Sequence, residues 1–470
     1  MHTPRLSTLL LQPVKRLPEF VSPLLIGAAV LFLGLAPTRT AFAQAQQDTR
    51  QAKQAMFPSP SEALLRELEA IYKDIHANPE LGMQEFRTAK IAADWLRKQG
   101  FEVTEKVGGT GVVGILRNGE GSTVLLRADM DGLAMKEDTG LPYASKKEGK
   151  DPSGAPSPVA HSCGHDMHVT WLMGVTRMLA EHRNNWRGTV MAVFQPAEET
   201  GVGARAMIDD GMVKRFPKPD VVMGQHVMPL RAGQIGTRVG LLLSMSDSLE
   251  VKLFGRGGHG SSPEKTVDPV VMAAASVMRL QTIVSREVGI SEGAVVTVGA
   301  LQAGNIGNII PNEATLRLNI RTFDEKVRET VLGSIRRIIN AEATASNAPR
   351  PPAFQEGTRF PPTYNDKVAT PKVVDALKAR FGADQVGEIV PASASEDFSW
   401  FARAWNVPAV YWAVGGTDPK LYDELAREGR TNEIPSNHSP QFAPVITPTL
   451  SRGIEAMLAA AGPWLGPQSR

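Results

Sequence analysis

The stretch TVLLRADMDG, residues 123–132, places two acids directly after a short apolar run. Such a run, bounded by turn residues, predicts a buried strand that ends near residue 128. Similar apolar runs recur at residues 112–116, 189–194 and 221–224. Helical stretches lie between these runs. This alternation predicts an α/β fold in which helices cover both faces of a mixed sheet and ligands gather at the carboxyl ends of strands.

The pattern changes near residue 248, where a strand of alternating apolar and polar residues begins. A helix, two strands and a second helix follow, which gives the order βαββα. This order predicts a small α+β domain, residues 248–360, inserted between the two parts of a larger domain, residues 44–247 and 361–470.

The first 43 residues have the composition of a secretory signal. Arg5, Lys15 and Arg16 precede an apolar run over residues 23–35, and the triplet Ala-Phe-Ala at 41–43 follows, with small residues at its first and third positions. The run is shorter than the roughly 20 residues that span a bilayer, so an uncleaved anchor is the weaker alternative. We therefore expect cleavage near Ala43 and export to the periplasm or the medium.

The charge of the chain depends on this leader. Its removal takes away four basic residues and one acid, which lowers the formal charge from +2 to −1. No basic patch remains that would bind nucleic acid, and we do not expect the mature chain to bind a membrane. A polyanionic partner is therefore not expected.

The chain has a single cysteine, Cys163, which can form no internal disulfide. Its thiol is therefore buried and inert, reactive, or a metal ligand. Cys163 lies in the segment HSCGHDMH, residues 161–168, and thiolate and imidazole are the usual ligands of zinc-like ions. Gly164 lets the backbone turn tightly between Cys163 and His165, which are candidate ligands. His168 is better explained as a helix histidine whose hydrogen bonds are satisfied.

Asp129 and Asp131 stand two residues apart where the strand at 123–128 ends. Because side chains alternate along an extended strand, this spacing places both carboxylates on one side. There they could orient ligand histidines by hydrogen bonds. The alternative is a solvated turn closed by Gly132.

Glu198 and Glu199 follow the strand at 189–194. One of them could bind a metal while the other acts as general base for a metal-activated water. The alternative is a pair of acids favoured at a helix N-terminus. Two further histidines, His226 after the strand at 221–224 and His438 near the end of the chain, join the candidate set.

These segments together resemble the two-metal amidohydrolases related to aminoacylases and zinc carboxypeptidases, in the branch of hippurate hydrolase and auxin-conjugate (indole-acetyl-amino-acid) hydrolases. The likeness covers about residues 60–465 and implies a zinc-exopeptidase-like catalytic domain. It implies that Cys163 bridges two metals. His165 and His226 would complete one metal site, and Glu199 and His438 the other.

The resemblance also implies roles outside the ligand set. Glu198 would be the general base and Asp131 an orienting acid, whereas Asp129 stands where more distant relatives have a ligand histidine. Both aspartates are expected to support the ligands. The inserted domain would be a lid and dimerisation domain.

In the inserted domain, the resemblance implies that His259 stabilises the oxyanion in a partner subunit's site, so that a homodimer or larger homo-oligomer is expected. Asn308 and Arg321 would hold the substrate carboxylate, to which an arginine can bind through two parallel hydrogen bonds. On the residues alone, His259 would be part of a surface Gly-rich turn and Arg321 an exposed cation at a strand end.

The expected activity is hydrolysis of the amide bond of small N-acyl amino acids with two divalent ions per chain. Zinc, manganese, cobalt and nickel all suit this ligand chemistry. One alternative is a dipeptidase or aminopeptidase with the same metal pair. Others are a periplasmic binding protein that has lost catalysis and a structural dimer in which the cysteine cluster is incidental.

Overall fold

A computed structural model describes residues 56–151 and 154–466. The predicted signal segment and its cleavage point lie outside these residues. Within 56–151 and 154–466, no helix is both long and apolar enough to cross a membrane.

Eleven helices of α type occur in the described residues. In chain order they are α1 (Glu62–Ala77), α2 (Phe86–Lys98), α3 (His165–Glu181), α4 (Gly203–Asp209), α5 (Met212–Arg215), α6 (Pro269–Thr282), α7 (Glu325–Ala345), α8 (Ala369–Phe381), α9 (Ser399–Trp405), α10 (Pro419–Arg427) and α11 (Ile446–Leu465).

The strands in the same part of the chain are β1 (Glu102–Val107), β2 (Gly111–Asn118), β3 (Thr123–Asp129), β4 (Glu148–Lys150), β5 (Pro156–Pro158), β6 (Gly188–Gln195), β7 (Val221–Arg231), β8 (Ile235–Thr237), β9 (Gly240–Leu243), β10 (Met245–Phe254), β11 (Gly258–His259), β12 (Ala294–Ala303), β13 (Ile309–Ile310), β14 (Glu313–Thr322), β15 (Ala353–Phe360), β16 (Thr363–Asn365), β17 (Val386–Glu388) and β18 (Ala409–Thr417).

The main sheet has eight strands in the order β1-β2-β6-β3-β7-β18-β8-β17. Its centre is parallel, because β3 pairs in parallel with β6 and β7, and β7 with β18. β1 and β2 add an antiparallel edge. The mixed sheet predicted from the alternating pattern is therefore confirmed.

Helices cover both faces of this sheet, as predicted. Along β3, Val124 and Leu126 pack into a core that includes residues of α1, α3 and α11. Leu125, which points to the opposite face, packs with residues of α4, α5 and α9. Burial of both faces explains why residues 124–126 of β3 are all apolar rather than alternating with polar residues.

The second sheet is antiparallel, with the order β12-β14-β10-β15, and α6 and α7 share one core with it. It contains the predicted βαββα elements and one strand more, because β15 pairs with β10. The prediction missed β15. Half of the residues in its sequence, AFQEGTRF, are polar and none is fully buried, as is usual for a strand at a sheet edge.

The start of α3, the helix that carries His165 and His168, is set by a glycine. Gly164 adopts φ +90°, a conformation that glycine reaches without strain, and the helix α3 starts at the next residue. A Cβ at this position would lie 2.3 Å from a side-chain carbon of Val227. His165 and His168 are therefore one turn apart on a fully buried helix end.

Candidate metal centre and active site

The carboxyl ends of β3 and β6 lie side by side, and β7 runs next to them. Asp129 at the end of β3 pairs with Gln195 at the end of β6. His226 lies on β7 beside Ala413 of β18. Parallel pairing thus brings residues that are distant in sequence to one edge of the sheet.

Asp131 is buried and contacts two parts of this edge. Its Oδ1 lies 3.2 Å from Nδ1 of His165, and its Oδ2 accepts the backbone N–H of Glu199 at 3.0 Å. Burial raises the pKa of Asp131, and the His165 ring offsets only part of that effect. This is the geometry expected of an acid that orients a ligand histidine, since it leaves Nε2 of His165 available to a metal.

Asp129 is also buried, and its two oxygens have separate partners. Oδ1 lies 2.5 Å from Nδ1 of His168, and Oδ2 accepts from Nη1 of Arg127 at 2.5 Å. Burial alone would raise the pKa of Asp129, but the Arg127 guanidinium and two nearby imidazoles lower it well below its usual range. Asp129 is therefore ionised and held in place.

Both ring nitrogens of His168 are occupied. Nδ1 lies beside Asp129, and Nε2 accepts the backbone N–H of Val227 at 2.9 Å. The ring stacks on Trp171 at 5.3 Å between centroids. With its Nε2 lone pair in a hydrogen bond, His168 has the environment of the satisfied helix histidine that the sequence favoured.

His226 lies against the single cysteine. Its Nδ1 donates to the carbonyl oxygen of Val227 at 2.8 Å, which leaves Nε2 unprotonated, 3.5 Å from Sγ of Cys163. Burial, and then the neighbouring His168, lower the pKa of His226 well below its usual value. The neutral ring is the form that binds metal ions.

Glu199 and His438 meet on the other side of Cys163. Nε2 of His438 lies 3.2 Å from Oε2 of Glu199, and one ligand atom from each of the three residues falls within 4.8 Å of the others. His438 adopts φ +69° and donates its backbone N–H to the carbonyl of Ser162 at 2.8 Å. The loop at His438 is therefore fixed directly to the cysteine segment.

The residues fit a metal centre. His165 Nε2 and Glu199 Oε1 are buried polar atoms without a hydrogen-bond partner in the described chain. Such atoms are costly unless a further group satisfies them. Burial, and then the carboxylates of Glu199 and Glu198, raise the pKa of the Cys163 thiol well above its usual value. A thiolate at this position therefore needs a cation, and thiolate, imidazole and carboxylate together suit zinc-like ions.

Glu198 lies beside this cluster, with Oε2 3.8 Å from Nε2 of His165. It is almost fully buried. One oxygen of Glu198 lies within 4.8 Å of oxygens of Glu396 and Asp397. Burial, and then Glu396, raise the pKa of Glu198 well above its usual range, so the position favours holding a proton.

Sequence reasoning missed the buried ion cluster around Arg127. The guanidinium is 1% exposed and donates to Gln195, Asp129, Glu396 and Asp397. The hydroxyl of Tyr411 donates to Glu396 at 2.6 Å. An arginine within the apolar run TVLLRAD was the available signal, since a charge in a buried strand requires partners.

A cavity of about 560 Å³ opens at this edge of the sheet. The candidate centre contributes Cys163, Glu198, Glu199, His226 and His438 to its lining. The inserted domain contributes Val295, Thr297, Asn319, Arg321 and Phe360. Apolar lining comes from Met228, Leu242, Leu243, Ile389 and Val390. The cavity lining therefore combines the candidate ligands, residues of the second sheet and apolar side chains.

Arg321 is half-buried in this lining. Its Nη1 donates to the carbonyl of Ser393 at 3.1 Å and to Oγ of Ser395 at 2.8 Å, and its Nε donates to Asn319. Burial lowers its pKa, and within residues 56–151 and 154–466 it has no ion pair. Arg321 is thus a positioned cation in the cavity without an anionic partner.

The resemblance also implied active-site roles for His259 and Asn308. These two residues lie close to each other but do not line the cavity. His259 pairs with Ile309 where β11 meets β13, and Gly260 donates its N–H to the carbonyl of Asn308 at 2.8 Å. His259 is exposed, with Nδ1 2.7 Å from Oγ of Ser261. His259 therefore lies outside the cavity lining of its own chain.

Comparison with known proteins agrees with the site and identifies a metal-dependent hydrolase of the amidohydrolase and carboxypeptidase type. Residues 125–427 match the model of peptidase family M20/M25/M40, and the chain belongs to this family. It is 40% identical to hippurate hydrolase of Campylobacter jejuni over 340 residues, which cover 72% of this chain and 85% of the relative.

Two further comparisons agree with that assignment. The chain is 33% identical to N-acetyl-L-cysteine deacetylase of Bacillus subtilis over 374 residues, 79% of this chain and 85% of the relative. The crystal structure of a dinuclear metal-binding peptidase of the M20 family from Bacillus subtilis superposes with a TM-score of 0.67 at 27% identity, covering 85% of this chain and 98% of that one.

Proposed function

We propose that this chain hydrolyses the amide bond of small N-acyl amino acids at a centre of two divalent metal ions. Cys163 would bridge the ions, His165 and His226 would complete one site, and Glu199 and His438 the other. The short distances among these side chains and the unpartnered buried atoms of His165 and Glu199 support this ligand set. Zinc, manganese, cobalt and nickel all suit it.

The charges of the cavity lining favour an N-acyl amino acid over a substrate with a free amine. Among the described residues that line it, the acids are Glu198 and Glu199, and both belong to the proposed centre. Arg321 remains as a cation without an anion. A ligand with a free carboxylate and no free amine fits this balance, because an ammonium would need an anion that the lining does not provide.

Bound ions would polarise the amide carbonyl and lower the pKa of the attacking water. The chain's own residues supply the other requirements. Arg321 binds the substrate carboxylate, and the apolar side chains of the lining hold the acyl group. Glu198 takes a proton from the water and returns it to the leaving nitrogen, which its buried position favours because the carboxyl group is readily protonated there. Asp131 keeps His165 in one orientation.

His259 would stabilise the oxyanion in the cavity of a partner chain, which requires a dimer formed through the inserted domain. The exposed apolar residues of that domain support such an interface. Val295 and Leu301 lie on the edge strand β12 with 45% and 42% exposure, and Met278 on α6 is 73% exposed. An edge strand with exposed apolar side chains is a surface that pairs readily with another chain.

The first test is metal content of the purified protein together with hydrolysis of matched substrates before and after chelation. N-benzoylglycine and N-acetylmethionine would represent acylated substrates, and glycylmethionine the free-amine alternative. We expect two metals per chain and chelator-sensitive cleavage of the acylated pair. Faster cleavage of glycylmethionine would establish the dipeptidase alternative instead, and full metal occupancy without turnover of any of the three would favour a binding protein.

We also propose that the mature chain is exported, on the strength of the leader composition. Expression of the full chain followed by N-terminal sequencing of the periplasmic fraction tests this. A mature N-terminus near Gln44 is the expected result. An intact leader on a membrane-bound chain would show the anchor instead.

A further inference from the structure

Glu85 is a buried acid that takes no part in the proposed ligand set, yet it contacts the backbone next to Glu198. It stands at the start of α2 and is 0% exposed. Its side chain makes no capping hydrogen bond to its own helix. Glu80 does that instead, because its two oxygens accept the backbone N–H groups of Arg87 and Thr88 at 2.9 and 2.8 Å.

The carboxylate of Glu85 is thus available for other partners, and both of its oxygens are used. Oε1 accepts the backbone N–H of Ala197 at 2.7 Å. Oε2 accepts from the hydroxyl of Thr110 at 2.5 Å. The hydroxyl of a buried threonine therefore fixes the carboxylate, and the carboxylate in turn fixes the chain at Ala197.

Ala197 is held in an unusual conformation. Its φ is +47°, in the left-handed region that residues other than glycine rarely adopt, and it is 0% exposed. Its carbonyl accepts the N–H of Gly203 at 3.1 Å, which closes the turn that follows β6. Strained backbone persists only where surrounding contacts impose it, and it concentrates at functional sites.

The segment that carries Glu85 also packs against the turn directly. A Cβ at Gly82 would lie 3.0 Å from Cβ of Ala197 and 3.5 Å from Oδ2 of Asp131. The carbonyl of Glu80 accepts the N–H of Gly132 at 2.7 Å. Residues 80–85 therefore lie between the two strand ends that supply the acids of the site.

We infer that Glu85 is a positioning residue, whose carboxylate fixes the strained turn at Ala197 and thereby sets the positions of Glu198 and Glu199. Two buried acids hold this turn from either end, because Asp131 binds the backbone N–H of Glu199 in the same way. The inference rests on the proposed roles of Glu198 as general base and Glu199 as ligand.

Three variants at Glu85 separate the hydrogen bond from packing. Glu85→Gln keeps an oxygen for Ala197 and can donate its amide to Thr110. Glu85→Met keeps similar volume without an acceptor. Glu85→Asp keeps the charge but is one methylene too short to reach Ala197, and it serves if the Met variant does not fold. Glu80→Ala is the matched control, since it removes a helix cap five residues away.

We expect Met and Asp at position 85 to lower kcat at saturating metal by about 10- to 100-fold, with KM within about threefold of wild type. Glu85→Gln should retain at least about half of kcat, and Glu80→Ala should lower the melting temperature without a comparable loss of kcat. Zinc affinity, measured by competition with a chromophoric chelator, should weaken about tenfold in the Met and Asp variants.

Two results would overturn the inference. One is wild-type kcat and zinc affinity in both the Met and Asp variants. The other is an equal loss of kcat in Glu85→Gln or Glu80→Ala, which would indicate a general loosening of the segment. If the wild-type chain cleaves none of the acylated substrates, it is the proposed function that fails, and the zinc competition still decides the role of Glu85.

Discussion

Nε2 of His438 lies 3.2 Å from Oε2 of Glu199, although the two residues are 239 positions apart in the sequence. A loop in the left-handed region at His438, fixed to the carbonyl of Ser162, brings the histidine to the cysteine segment. This pair is the part of the candidate centre that depends most on long-range folding, and it provides the clearest test of the ligand set.

Replacing His438 should remove one of two metals. His438→Asn is preferred to alanine, because asparagine tolerates a positive φ and so adds little backbone strain. After the variant is loaded with excess metal and the unbound ion is removed by dialysis, we expect about one metal per chain. The variant should stay folded but should no longer hydrolyse the substrate. Elemental analysis and circular dichroism check this. His182→Asn, at the end of α3, is the control and should keep both metals; unchanged metal content in His438→Asn would refute the assignment.

Arg321 should determine substrate affinity rather than the chemical step. Replacing it by alanine removes a positioned cation from the cavity, so KM should rise by roughly 10- to 100-fold. Lysine should restore only part of the affinity, because it lacks the planar fork that binds a carboxylate twice. Steady-state kinetics measure both effects. Arg317→Ala, on the same strand but exposed and paired with Glu250, should leave KM unchanged.

An amide analogue of the substrate gives an independent check on Arg321. The wild-type protein should bind the amide analogue more weakly than the substrate, because the analogue lacks the carboxylate. The Arg321→Ala variant should bind the substrate and the analogue equally well. Equal discrimination by both proteins would place the carboxylate elsewhere.

His259 should act across the dimer. Cys163→Ser and His259→Ala chains should each be inactive as homodimers. Mixing them under conditions of subunit exchange should restore about a quarter of wild-type activity, because half of randomly paired dimers are mixed and each mixed dimer has one complete site. Activity measured against mixing ratio checks this. No recovery after verified exchange would show that His259 acts within its own chain or not at all.

His76 should make a pH-dependent contribution to stability. Its Nδ1 lies 2.6 Å from Asp166 and its Nε2 3.1 Å from Glu137. Burial alone would lower the pKa of His76, but these two carboxylates raise it to about 10. Because the folded-state pKa lies above the unfolded value of about 6.5, the contribution is complete below that pH and is lost as pH rises toward 10.

Urea unfolding of wild type and His76→Asn between pH 6 and 10 measures this contribution. The variant should be less stable by on the order of a few kcal/mol at pH 6, and the difference should shrink as pH approaches 10. A difference that stays constant across this range would mean that His76 is not charged in the folded chain.

Much of the fold could be predicted because its signals are local. Apolar runs such as residues 123–128 and the change of pattern near residue 248 depend only on neighbouring residues, and they predicted the main sheet, its covering helices and the βαββα elements. The prediction failed at β15, whose polar sequence has no such signal and whose strand conformation depends on pairing with β10.

The amino-acid sequence by itself determined the chemistry of the site: one cysteine, a set of histidines and acids placed after strands, and a resemblance that ordered them. Only the tertiary structure decided which nitrogen of each histidine is available. Partners distant in sequence occupy both nitrogens of His168, and the local backbone conformation places the carbonyl of Val227 against Nδ1 of His226.

The tertiary structure also revealed the residues that support the site. Glu85 and the partners of Arg127 are ordinary charged residues in sequence, and their importance comes from burial, which obliges each buried charge to find partners across the fold. Ligand type is a property of the residue and can be read locally. Hydrogen-bond partners and burial are properties of the packed chain, and so only folding decides them.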